Sequence, residues 1–116
     1  MDFTLTREAK AFLAVLYREY CNRRSRGIPI VKSAHFKDSA SLHDSFFPHL
    51  AVEDIDYLCF ELRDSGLLDV DRGDDSAFNV HLTRFAVAYL DNQFARGLND
   101  VISFLDSVSS IISWIK

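Results

Sequence analysis

The sequence predicts an α+β protein, mostly α, with a short β-hairpin and an added C-terminal amphipathic helix. Three observations predict it. Apolar residues recur at helical spacing in four segments. One stretch, "LLDVDRGDDSAFNVHLT", alternates apolar and polar residues on either side of a turn. The last segment, "LNDVISFLDSVSSIISWIK", has one oily side and one side of Ser, Asn and Asp.

Each element can be justified in order. Thr6 is placed to cap a first helix, with Glu8 in the first turn where the helix dipole favours an anion. Ala9, Phe12, Leu13, Leu16, Tyr17 and Tyr20 form its buried stripe, and "NRRSRG" with Gly27 and Pro29 ends it. "IPIVKS" is β-prone and reads as one edge strand. Asp38 or Ser39 caps a short second helix carrying Leu42, Phe46 and Phe47, which Pro48 ends. A third helix in "AVEDIDYLCFELRDSGLL" puts Ile55, Leu58, Cys59 and Leu62 on its core face and stops at Gly66. In the hairpin, Leu68 and Val70 pair with an inward set of Phe78, Val80 and Leu82, around a turn at residues 72–76. Thr83 caps a fourth helix with Phe85, Val87, Ala88, Tyr89, Leu90 and Phe94, and Gly97 marks a break. This divides the chain into a domain at 1–97 and a helix at 98–116.

The tail has an unbroken heptad register. With Leu98 at position a, Val101, Leu105, Val108, Ile112 and Ile115 alternate between d and a. Ile102, Phe104 and Ile111 widen the stripe, and Trp114 sits at its border. Such a face is too oily to leave in water. Three coverings compete: the chain's own core, a partner helix, or a lipid surface. Lipid is disfavoured, because Asp100 and Asp106 oppose a single Lys116 on the polar side. The expectation is a homodimer through this helix.

Element order carries a resemblance. "DIDYLCFELRDSGLLDVD" and "FNVHLTRFAVAYLDNQF" resemble the winged-helix pattern: a third helix ending in a glycine turn, then a wing, then a capped helix. The segment "LTRFAVAYLDNQFARGLNDVISFL" is similar to small winged-helix proteins of Gram-positive bacteria and their mobile elements. The resemblance spans about residues 5–95. It implies a fold and, for DNA-binding relatives, a third helix that enters the major groove; it implies no particular activity.

Charge argues against that use of the fold. Net charge is -4, unevenly spread. Residues 1–37 hold eight basic and three acidic residues, net +5; residues 38–116 hold five basic and fourteen acidic, net -9. The outer face of the third helix reads Glu53, Tyr57, Phe60, Glu61 and Asp64, and the wing adds Asp69, Asp71, Asp74 and Asp75. Carboxylates beside phosphates oppose binding. This acidic-aromatic face is instead a candidate protein interface. Arg23, Arg24, Arg26, Lys32 and Lys37 are the candidate nucleic-acid contacts, or a patch that meets the acidic face of a neighbouring copy.

No catalytic constellation is evident. His35, His43, His49 and His81 are scattered, and no Cys/His group has zinc spacing. Cys21 and Cys59 sit within apolar helical patterns and read as free structural thiols of a reducing cytoplasm. No metal or cofactor is expected. Residues 2–10 lack the apolar run of a secretory leader, and no stretch reaches the roughly 18 apolar residues of a membrane span. The expected function is a non-enzymatic protein-interaction or oligomerisation module. The alternatives are a dimeric DNA-binding regulator that uses another face, and a mobile-element effector acting on a host protein or membrane.

Overall fold

A computed structural model describes residues 5–115; Lys116 of the tail and residues 1–4 lie outside the described residues. The order is α1 (Arg7–Ser25), α2 (Ile30–Ser33), α3 (Ser39–Ser45), α4 (Val52–Asp64), β1 (Leu68–Gly73), β2 (Ser76–Leu82), α5 (Arg84–Gln93) and α6 (Leu98–Val108). The architecture is α+β and mostly helical, with one antiparallel two-stranded sheet, in a winged-helix-like arrangement. The third helix of the sequence reading is α4.

Caps fall where the sequence puts them. The backbone N–H of Ala9 donates to Thr6 Oγ1, Ser41 to Asp38 Oδ1, and Ala86 to Thr83 Oγ1. Each satisfies a donor that the first helical turn leaves unpaired. The Thr83 hydroxyl also donates to the Gly66 carbonyl at 2.8 Å, which ties α5 to the end of α4.

α1 is the axis of the molecule. Beyond the expected stripe, Ala11, Ala14 and Val15 are also buried. The stretch 11–17 is apolar all round and is covered all round. One side meets α4 and the segment that leads into it, where Phe12 stacks on Phe47 with ring centroids 4.4 Å apart. The other side meets α5 and α6 through an aromatic chain. Tyr20 stacks on Tyr17, Tyr17 on Phe94 and Phe94 lies 5.8 Å from Phe104. The Tyr17 hydroxyl donates to Asp91, and burial followed by this bond pushes its pKa well above the ordinary value.

Three expectations change. "IPIVKS" is not a strand: Ile30–Ser33 is a single helical turn after Pro29, with the Ser33 N–H donating to the Pro29 carbonyl. The edge pairing forms a few residues later. Phe36 donates to Val80, Val80 to Lys37 and Leu82 to Ala34, so residues 34–38 run beside β2 as a narrow third rung. Second, Phe78 is not inward. The register between β1 and β2 shifts between Asp69 and Asp71, and Asn79 has φ 51. This bulge turns Ala77 inward and Phe78 outward, because one extra residue inverts the alternation. The Phe78 ring lies over Gly73, where a Cβ would meet it at 2.8 Å. Third, Phe85 and Ala88 on α5 face outward, and Ala86 packs in their place.

The tail also differs from expectation. Its helix ends at Val108, and residues 109–115 continue as turns. Val101, Leu105, Val108, Ile112 and Trp114 are buried in the chain's own core, and α6 packs on α1. Trp114 meets the edge of Phe47 at 5.6 Å, and its indole N–H donates to Glu8 Oε1 at 3.2 Å. Residues 98–115 therefore complete the hydrophobic core shared with residues before 98. Of the a/d seam behind the expected homodimer, Val101, Leu105, Val108 and Ile112 are covered in cis, and Leu98 and Ile115 are partly buried.

Candidate functional site

The candidate groups separate into an acidic-aromatic face, a basic segment and the tail. On α4, the core face of Ile55, Leu58, Cys59 and Leu62 fixes the rotation of the helix. The opposite side then carries Glu53, Asp54, Tyr57 and Asp64 to solvent. Tyr57 is 68% exposed, an unusual fraction for a tyrosine in the middle of a helix. Phe60 behaves differently. The Arg72 guanidinium lies 3.9 Å from its ring centroid and that of Arg63 5.3 Å, so two cations cover it. Those are the only lysine or arginine residues of α4 and the wing. Both are held against Phe60, while Asp69, Asp71, Asp74 and Asp75 remain exposed.

Tyr57 borders a cleft of about 210 Å³ lined by Thr6, Glu8, Leu50, Asp54, Leu58 and Glu61. The sequence reading grouped Tyr57 with Glu61 but missed Glu8 and Thr6. They arrive because the N-terminus of α1 lies beside α4, and no spacing within α4 signals this. Three carboxylates and an aromatic ring around a small cleft suit one lysine or arginine side chain.

Most of the basic segment is occupied by structure. Arg23 donates from Nε to Glu19 Oε2 at 2.9 Å. Its Nη1 donates to the His35 carbonyl at 2.7 Å and the Ser33 carbonyl at 3.2 Å, and the guanidinium lies 4.6 Å from the Phe36 ring centroid. Arg23 thus clips residues 33–36 to α1. Arg24 donates to the Ile28 carbonyl at 2.8 Å, and Arg26 stands 3.8 Å from Glu19. Lys32 and Lys37 are exposed beside a cleft of about 650 Å³ lined by Val31, His35, Phe36, Ser41, Asp44 and Phe46. Arg23, Lys32 and Lys37 line this one cleft, but Arg23, which is half-buried, and Arg24 are turned back on the chain.

The tail residues split by depth. Val101, Leu105, Val108, Ile112 and Trp114 are core; Leu98, Phe104 and Ile115 are partly buried; Ile102 and Ile111 are exposed at 47% and 59%. Sequence reasoning missed a second exposed pair, Ile30 and Val31, because it placed them in a strand. Val31 is 80% exposed. It divides the cleft at Lys32 and Lys37 from a second cleft of about 420 Å³, which Ile30, Ala34, Leu82 and Arg84 line with the Asp69 and His81 edge of the wing.

Cys59 is fully buried, and burial with nearby Asp56 pushes its thiol up to about 12. Burial raises Cys21 as well. Both are free cysteines held as neutral thiols. Among the described residues, no group of three or more His, Cys, Asp or Glu side chains is arranged to hold a metal ion. No described helix is long and apolar enough to cross a membrane. No family model, no curated protein and no solved structure matches the chain.

Proposed function

We propose that the chain is a non-enzymatic protein-interaction module of winged-helix type, whose α4 face receives a basic side chain of a partner protein. The observation that carries this reading is the cleft of Glu8, Asp54, Tyr57 and Glu61 on a face whose arginines are engaged elsewhere. A lysine or arginine entering it gains charge-assisted hydrogen bonds and the face of the Tyr57 ring. The same carboxylates disfavour a phosphate backbone, so α4 is poorly suited to the major groove.

A defined probe tests it. The isotope-labelled chain is titrated with short Arg-containing and Lys-containing peptides at low salt. Amide shifts should cluster at residues 6–8 and 50–61, and Tyr57→Ala should weaken binding by roughly ten-fold, since a cation–π contact contributes about 0.5–2 kcal/mol. Asp54→Lys with Glu61→Lys should abolish it. The competing reading, a dimeric DNA-binding regulator, is favoured by the two exposed lysines at the larger cleft. Specific duplex binding lost on reversal of Lys32 and Lys37, with no response at Tyr57, would replace the proposal with that reading.

A further inference from the structure

The most exposed of the large apolar side chains is Val31, which stands beside the exposed Ile30 on the single turn of α2. Leaving a β-branched pair in water has a hydrophobic cost, and here the pair adjoins a mostly apolar cleft instead of a polar surface. Val31 and His35 line both large clefts and so form a ridge between them. On one side of this ridge stand Lys32 and Lys37, with Arg23 and Asp44 in the same cleft. On the other stand the wing residues Asp69 and Asp71 with His81, and Arg84 of α5.

We infer that this face binds a second copy of the chain in a two-fold dimer, with the Val31 ridge of each protomer seated in the cleft of Ile30, Ala34 and Leu82 of the other. The partner's chemistry follows from shape and charge. A ridge beside a cleft of apolar lining is self-complementary: an axis running along the ridge, between it and the cleft, carries each onto the other. That operation also exchanges the two flanks. Lys32 and Lys37 of one protomer then face Asp69 and Asp71 of its partner, and the reverse pairing forms on the other side of the axis. An axis at right angles would set lysines against lysines and aspartates against aspartates, so the charges select one arrangement. This dimer leaves the α4 cleft facing elsewhere and does not depend on the reading of that cleft. It places self-association on α2 and the wing, not on the tail, whose seam is already filled.

Sedimentation velocity and light scattering on the full chain test the inference, with circular dichroism to verify folding. Wild type should dimerise. Val31→Asp, at a position already in solvent, should leave the fold intact and raise the dimer Kd by at least about 100-fold, because a carboxylate would be driven into an apolar cleft. Charge reversal gives the sharper test. Lys32→Glu/Lys37→Glu and Asp69→Lys/Asp71→Lys should each be monomeric alone. Mixed in equal amounts they should form a one-to-one heterodimer, since both flanks are then complementary. Wild type monomeric at millimolar concentration would overturn the inference. So would a dimer that survives Val31→Asp, a mixture that stays monomeric, or a dimer lost only on Ile102→Asp/Ile111→Asp, which would move the contact to the outer face of α6. Alternating chains longer than a dimer in the mixture would replace the two-fold arrangement with a head-to-tail one.

Discussion

Replacing Leu105 by alanine separates a tail that belongs to the core from a tail that belongs to a partner. Leu105 is 3% exposed, between Val101 and Val108 on the face of α6 that packs on α1. Truncating a buried leucine removes its transfer free energy and leaves a cavity, at a cost of about 2–5 kcal/mol. The surroundings decide where in that range the value falls. α1 is held on its other side by the Phe12–Phe47 stack and cannot move across without opening it, so collapse into the void is limited. A value near 3 kcal/mol is expected. A domain of this size has about 5–15 kcal/mol in total, so the loss is a large fraction of it. With a urea m-value of about 1–3 kcal/mol per molar, the midpoint should fall by roughly 1–3 M. The assay is urea unfolding followed by circular dichroism at several protein concentrations. A cis contact gives a midpoint shift independent of concentration, with no change in molecular mass. A midpoint that moves with concentration, or a mutant that loses a dimer while its urea midpoint stays at the wild-type value, would refute the cis packing.

Other expectations follow from single contacts. Trp114→Phe should destabilise less than Trp114→Ala, which should cost about 3–5 kcal/mol; the difference between wild type and Phe, read by thermal melting, reports the indole bond to Glu8. Thr83→Ala removes both the cap of α5 and the bond to Gly66, and should lose about 1–2 kcal/mol in urea titration, whereas Thr83→Ser should recover most of it. Cys59 should resist a thiol reagent at pH 8 in the native state and react fully only after unfolding. Stability should fall as pH rises from about 9 toward 12: the raised Cys59 and Tyr17 pKa values mean that the native state keeps protons the unfolded chain releases, so their contribution is complete below the unfolded values and lost above them. A flat urea midpoint across that window would contradict the burial of both groups.

The parts legible in sequence are those with a local physical cause. Thr6, Asp38 and Thr83 cap helices because a side-chain oxygen can reach an N–H three residues on, and that geometry needs no tertiary partner. The core stripe of α4 and the glycine at its end are equally local. Errors arose where tertiary packing chose between local options. "IPIVKS" has β-branched residues, yet Arg23 clips the carbonyls of Ser33 and His35 and moves the edge pairing to residues 34–38. Phe78 follows the alternation in sequence, and the bulge at Asn79 inverts it. The fate of the tail was legible in another helix. The run "AFLAVLY" in α1 has no polar side, so something had to cover both of its flanks. An amphipathic tail and the apolar centre of the first helix are two halves of one contact.

That contact changes what the remaining surface can offer. Once α6 and Trp114 are drawn into the core, large apolar side chains are still left toward solvent on separate elements: Val52 and Tyr57 on α4, Ile30 and Val31 on α2, Phe78 on β2, Phe85 on α5, and Ile102 and Ile111 on the outer side of the tail. Three of these groups carry distinct charge settings. Ile102 and Ile111 lie among Asn99, Ser103, Asp106, Ser107 and Ser110, a polar setting in which single exposed aliphatics need no partner. Tyr57 lies among carboxylates that specify a cation. Ile30 and Val31 lie between Lys32 and Lys37 on one side and Asp69 and Asp71 on the other, so both signs flank this apolar ridge. A partner for Tyr57 must bring positive charge, whereas a partner for Val31 must bring both signs in the opposite order, and the same patch turned through a half rotation does so. The two surfaces therefore call for different partners, and blocking one should leave binding at the other within a factor of about two, because sites with no shared contacts add nearly independently.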